Sequence, residues 1–140
     1  MIVIDASVAA KAYIAEPGSE QAIEVLTGPR KLFAPEILRT EVAQAICVRV
    51  SLNELTAAEA LKRVEHFERQ LDEDWIQLVP TRELLASACR LATTLLLPVP
   101  SCLYLALAQA REIPLITADR TFFEQAKKAH SLSELLAGCS

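Results

Sequence analysis

A chain of 140 residues fits one domain, and a domain of that length buries roughly two thirds of the surface its unfolded chain exposes, enough for a core without staples. At 52% hydrophobic and 23% charged residues, with only 3 glycines, it excludes disordered, collagenous and linker-rich architectures. A formal net charge of −4 gives no global attraction to nucleic acid, so any polyanion bound here must be held by a local basic patch or by a metal ion.

Ile2-Val3-Ile4 is short, β-branched and stopped by Asp5, which predicts a fully buried strand at the start. Ser7 can cap the helix VAAKAYIAE, which Pro17-Gly18 ends. Glu20 to Leu26 predicts a second helix closed by Gly28-Pro29, and Lys31 to Ala34 a second strand. Pro35 then opens a helix through EILRTEVAQAICVRV. Residues Asn53 to Thr56 interrupt it before AAEALKRVEHFERQLDED, a charged amphipathic helix most simply read as a solvated face. Ile76 to Val79 is a third strand, and Arg82 to Leu96 a helix with Leu84, Leu85, Ala88, Leu91, Ala92 and Leu95 on one face. Cys102 to Arg111 is apolar all round and therefore central, with Ser101 as its N-cap. Leu115 to Thr117 is the last predicted strand, ADRTFFEQAKKA the helix after it, and SLSELLAGCS a short helix forming a tail over 131–140.

Strands with little alternation, separated by helices, imply one domain over 1–140 with a mostly parallel sheet covered on both faces, a three-layer α/β/α arrangement. In such folds the C-terminal ends of strands and the N-terminal ends of helices share one edge, where ligands bind.

Cys47, Cys89, Cys102 and Cys139 form no C-x-x-C pair. The first three lie among apolar residues, which predicts buried, reduced thiols in a cytoplasmic protein. The apolar start ends at Asp5, with neither a basic leader nor a signal-length apolar run. From Leu91 to Ala108, Thr93, Thr94, Pro98, Pro100 and Ser101 break the apolar run short of the roughly 20 residues a membrane helix needs, so no membrane span is expected.

Asp5 ends the first strand and Asp119 follows the last, so both are expected on the ligand edge, where either can instead cap a helix. Glu41 lies one to two turns into its predicted helix, on the apolar stripe of Ile37, Leu38, Val42, Ala45 and Ile46. A carboxylate facing inward needs a cation, a metal or a network of donors; the alternative is a stripe-edge acid paired with Arg39 or Arg49. Ser101 opens a helix that begins at the same edge. Three carboxylates without a His or Cys partner favour hard cations, Mg²⁺ or Mn²⁺, over zinc, and His66 and His130 are not expected to be ligands. Such an ion supports phosphodiester hydrolysis, and no P-loop, G-x-S-x-G or H-E-x-x-H motif proposes a rival chemistry. Lys11 and Arg120 are candidate phosphate contacts, with Arg39 and Arg49 as further ones and a solvated surface role as the alternative.

VIDASV, PEILRTEVAQAI, PVPSCLYLALA and PLITADRTF, in this order across nearly the whole chain, resemble the PIN domains of VapC-type toxins. The resemblance implies a small α/β/α fold, Mg²⁺- or Mn²⁺-dependent endoribonuclease activity, homodimers and inhibition by a cognate antitoxin whose peptide lies over the groove. Asp5, Glu41 and Asp119 correspond to family acids and Ser7 to the hydroxyl residue after the first. One position departs: Ser101 stands where the family has an aspartate, and Pro100 where an aromatic is common. A hydroxyl can ligate Mg²⁺ but brings no charge, so one well-held metal and weak cleavage are expected, or a degenerate module that binds antitoxin or RNA without cutting.

Overall fold

The protein is described by a computed structural model over residues 1–139. Its five strands form one all-parallel sheet in the order β3-β2-β1-β4-β5, with β1 at Ile2–Ile4, β2 at Leu32–Pro35, β3 at Ile76–Val79, β4 at Leu115–Thr117 and β5 at Ser133–Leu135. β1 pairs with β2 through Ile2↔Leu32 and with β4 through Val3↔Leu115, so it is central and its residues are buried on both faces. That double burial is why β1 carries no polar alternation. Helices on both faces complete the three-layer α/β/α fold.

The helices are α1 (Ala6–Ala9, extended by a 3₁₀ turn Ala10–Ala12), α2 (Ser19–Leu26), α3 (Leu38–Ser51), α4 (Ala57–Asp72), α5 (Leu85–Leu95), α6 (Val99–Arg111) and α7 (Arg120–Ala129). As expected from its composition, α6 is the central one: every residue from Cys102 to Ala108 is buried, and it packs on β1, β2 and β4. Thr56 and Glu59 form a reciprocal capping box that starts α4. The chain leaves β1 toward β2 on one side, and after β3 it returns to β4 on the other. The C-terminal ends of β1 and β4 therefore flank the point where strand order reverses, the usual ligand crevice of an open parallel sheet.

Several expectations are corrected. The first helix stops after one α turn and one 3₁₀ turn, short of Glu16, and its N-cap is Asp5; Ser7 lies inside it. Pro35 is the last residue of β2, paired with Val79, because an unbonded proline nitrogen is tolerated at a strand end, and α3 starts three residues later. Pro98 is the N-cap of α6, which places Ser101 at its third position instead of at the cap. Prolines are compatible with the first helical turn because its N–H groups have no partner within the helix. The stretch Arg82 to Leu96 begins with a 3₁₀ turn, Thr81–Glu83, and becomes α-helical only at Leu85. Residues 131–139 are no helical tail: Ser133–Leu135 pairs with β4 as the edge strand. His130 fixes that turn, its carbonyl accepting from the Ser133 N–H at 3.1 Å and hydroxyl at 2.8 Å. Cys102 is buried as expected, but Cys47 and Cys89 are exposed. Ile46 and Ala88 beside them face the core, and the two thiols do not.

Gly18 starts α2 with φ 90°, a left-handed conformation that favours glycine, so the Pro17-Gly18 turn is set by the backbone. Among the described residues no single helix is long and apolar enough to cross a membrane.

Candidate active site

Asp5 leaves β1 at the strand-reversal point. Its N–H bonds to the Ile116 carbonyl of β4 at 3.0 Å, and its own carbonyl accepts from Val8 and Ala9 of α1, so neighbours on both sides fix the backbone. The side chain is 9% exposed. Two hydroxyls converge on one of its oxygens: Ser7 Oγ and Thr117 Oγ1 both donate to Oδ2 at 2.6 Å. Ser7 Oγ also accepts from the Ala118 N–H at 2.9 Å, and Thr117 Oγ1 from the Asp119 N–H at 3.0 Å. The network thus locks the turn after β4 onto the turn after β1. Burial raises the Asp5 pKa above its ordinary value; the Ser7, Thr117 and Ala6 donors oppose that rise, and the charge of Asp119 adds to it.

Asp119 caps α7 by accepting from the Phe122 N–H at 3.1 Å through Oδ1. The capping role and the ligand-edge position weighed as alternatives from sequence therefore coexist. Its second carboxylate oxygen makes no hydrogen bond among the described residues.

Glu41 stands at the fourth position of α3, nearer the helix start than the sequence predicts, because α3 begins at Leu38. It is half-buried and pairs with neither Arg39 nor Arg49: Tyr104 Oη donates to its Oε1 at 2.6 Å. Tyr104 is 1% exposed, so this hydroxyl is supplied from the core by α6. Burial raises the Glu41 pKa, with the Tyr104 hydrogen bond opposing and the charge of Asp5 adding. Burial also pushes the Tyr104 hydroxyl far up, so it remains a donor.

Glu41 and Asp119 line one groove of about 420 Å³ together with Ser7, Lys11, Glu16 and Arg49. Asp5 sits behind Ser7. Among the described residues no three His, Cys, Asp or Glu side chains are gathered closely enough to hold a metal ion together, so the expected meeting of three carboxylates at one point is corrected to an acid-lined groove. The acids are still within electrostatic reach of one another, since Asp5 feels the charge of Asp119 and Glu41 feels that of Asp5.

The donor set nonetheless fits a hard cation. Every candidate donor is oxygen, from the carboxylates of Asp5, Glu41 and Asp119 to the hydroxyl of Ser7. Among the described residues, none of these three acids forms a salt bridge. Two desolvated carboxylates without a basic partner leave a charge deficit that a cation would fill.

The remaining candidates are less available. Lys11 donates to Glu16 Oε1 at 3.0 Å and to the Pro17 carbonyl at 2.7 Å. Arg120 is exposed and lies 3.7 Å from Glu124 on its own helix, and Arg39 pairs with Glu68 at 2.8 Å. Ser101 is half-buried, its hydroxyl makes no hydrogen bond among the described residues, and it lies three residues before Tyr104 on the same face of α6. Thr117 was not foreseen as a site residue. A hydroxyl ending an apolar strand two residues before Asp119 was the available signal.

An open parallel α/β/α sheet with an acid-lined groove at its strand reversal defines the class of protein, and the family follows from comparison. The PIN domain family matches residues 2–128, and the chain belongs to it. PIN domains are in general nucleases that use divalent metal ions. No curated protein sequence matches the chain. Among solved structures, a toxin-antitoxin complex from Klebsiella pneumoniae is similar at 18% identity and TM-score 0.65, covering 88% of this chain and 90% of that one. FitAcB from Neisseria gonorrhoeae is similar at 14% identity and TM-score 0.62, covering 99% and 98%. At these identities the likeness is one of fold.

Proposed function

We propose that the protein is a Mg²⁺- or Mn²⁺-dependent endoribonuclease, the toxin of a toxin-antitoxin pair, acting as a cytoplasmic homodimer held in check by a cognate antitoxin. The observation that carries the reading is the pair of desolvated carboxylates, Asp5 and Glu41, beside a groove at the strand reversal and without a basic partner. Family membership supports nuclease chemistry, and the Klebsiella complex supports an antitoxin partner.

In this reading Asp5 and Asp119 hold the ion, Ser7 and Thr117 fix the Asp5 carboxylate through Oδ2, and Ser101 adds at most a neutral oxygen. When bound, a divalent ion supplies charge neutralisation at the phosphoryl oxygens and lowers the pKa of water. Glu41 is the proton acceptor that orients the attacking water. Its raised pKa makes it a stronger base than a free glutamate, and Tyr104 engages Oε1 alone while the residue lines the groove.

Incubation of a single-stranded RNA with Mn²⁺ is expected to give internal cleavage that EDTA stops and that Asp5→Ala, purified identically, lacks. Equal cleavage by Asp5→Ala would trace the activity to a contaminant and remove the nuclease reading. The Ser101 substitution favours a second reading, in which the fold binds RNA or antitoxin without cutting; it predicts binding by both proteins and cleavage by neither.

Tyr104→Phe tests the role given to Glu41. The hydroxyl lowers the Glu41 pKa, so its removal raises that pKa further. The acid limb of the pH–rate profile is expected to move to higher pH, with about 1 kcal/mol of stability lost with the buried hydrogen bond. An unmoved acid limb would show that Glu41 does not act as the base.

A further inference from the structure

The floor of the groove is one face of α3. Glu41, Ala45, Val48 and Arg49 all line it, at the i, i+4, i+7 and i+8 spacing of a single helical stripe. Eight residues of helix rise about 12 Å, so Arg49 stands about that far along the groove from Glu41. Both terminal nitrogens of its guanidinium are engaged by acids: one pairs with Glu16 and the other with Glu54 Oε2 at 2.6 Å. Glu16 also holds Lys11 at 3.0 Å, so a single carboxylate engages both basic side chains of the groove. The turn after Lys11 presents it, with Pro17 accepting from the same lysine and Gly18 left-handed.

We propose that Arg49 grips a phosphate flanking the scissile one on a single-stranded RNA, and that Glu16 is a built-in competitor occupying that grip until a phosphate displaces it. The inference rests on reading the groove as an RNA site. Glu16 and Arg49 side chains are 24% and 22% exposed, so the pair reaches solvent and a phosphate can approach the guanidinium in competition with the carboxylate. A backbone phosphate takes the guanidinium fork in the same two-pronged way as a carboxylate, with the same single charge, and the strand brings several such charges at once. Without such exchange the groove offers RNA three acids, Glu16, Glu41 and Asp119, against two bases that are already engaged.

The test is fluorescence anisotropy of a labelled single-stranded RNA in EDTA across a salt series, so that binding is read apart from cleavage. Glu16→Gln is expected to tighten binding about fivefold at low salt, the order one screened ion pair allows, and to steepen the log Kd against log salt slope by about 0.7 per freed phosphate contact. Arg49→Gln is expected to weaken binding and flatten the slope, and Glu16→Gln to give no gain in an Arg49→Gln background. Glu54→Gln, at the more exposed partner, is expected to give a smaller gain and serves if Glu16→Gln folds poorly. Glu134→Gln frees Arg30 at the far sheet edge and adds the same charge, so it should give none. An equal gain from Glu134→Gln, a gain that survives Arg49→Gln, or unchanged or unmeasurable binding in folded Glu16→Gln would each overturn the proposal. Tightened binding without Mn²⁺-dependent cleavage would remove the nuclease reading and leave the grip standing, whereas cleavage without tightened binding would do the reverse.

Discussion

Asp5→Asn is expected to melt about 3–8 °C above the wild type in metal-free buffer at neutral pH, while losing divalent-ion binding. The side chain is buried, has no basic partner and feels Asp119, so its negative charge is a burden to the fold in the absence of a cation. Asparagine retains one oxygen to accept from Ser7 and Thr117 and sheds that charge. The gain corresponds to roughly 1–2 kcal/mol in a domain of this size. The sign is set by linkage: the folded-state pKa of Asp5 lies above the ordinary 3.8, so folded protein binds this proton more tightly than the unfolded chain. That stabilisation is complete below the ordinary value and is lost as pH rises through the folded-state pKa. The advantage of Asp5→Asn is therefore absent at the acid end and grows toward neutral pH. Saturating Mn²⁺ should reverse the order, stabilising the wild type by mass action and leaving Asp5→Asn unchanged. Thermal melts at several pH values, with and without Mn²⁺, check all of this; a lower melting temperature for Asp5→Asn at neutral pH would show that its charge is already compensated.

Ser101→Asp carries the second large effect. Residue 101 lies in the first turn of α6, on the face that delivers Tyr104 to Glu41, and the present side chain contributes no charge. A new anion near the acid groove would interact with a bound cation by about 4 kcal/mol at 4 Å and an effective dielectric of 20. Discounting for solvent screening, Mn²⁺ affinity is expected to rise about 10- to 100-fold and RNA cleavage with it. The same acid should lower metal-free stability, because it adds a like charge on the face of α6 that carries Tyr104 to Glu41. Calorimetric titration of Mn²⁺ and a cleavage time course decide it, and no change in either would mean that residue 101 lies outside the ion's reach.

Burial periodicity made much of this fold legible. β1 and β4 occupy the spans that their β-branched, unalternating runs predict, because a strand covered on both faces has little room for polar residues, and β3 keeps its predicted span at the sheet edge with Gln77 exposed. β5 was not legible. Ser133-Glu134-Leu135 has weak strand propensity and pairs because β4 would otherwise leave an open edge, a fact of the sheet and not of the segment. The start of α6 was misplaced because two prolines look like a break when they in fact occupy its cap and first turn. At the site, Asp5 and Asp119 were readable from their places at strand ends. The Tyr104–Glu41 bond joins residues 63 apart in sequence, and the sharing of Glu16 by Lys11 and Arg49 likewise depends on packing that no local pattern encodes.

The proposed site has carboxylates at the end of β1 and the start of α7 holding one cation at the strand reversal, and Mn²⁺ titration followed by electron paramagnetic resonance reads that binding out. The account predicts saturable binding by the wild type that is strongly weakened in Asp5→Asn and in Asp119→Asn, each still folded by circular dichroism. Undiminished Mn²⁺ binding in both variants, or none in the wild type at millimolar ion, would contradict it.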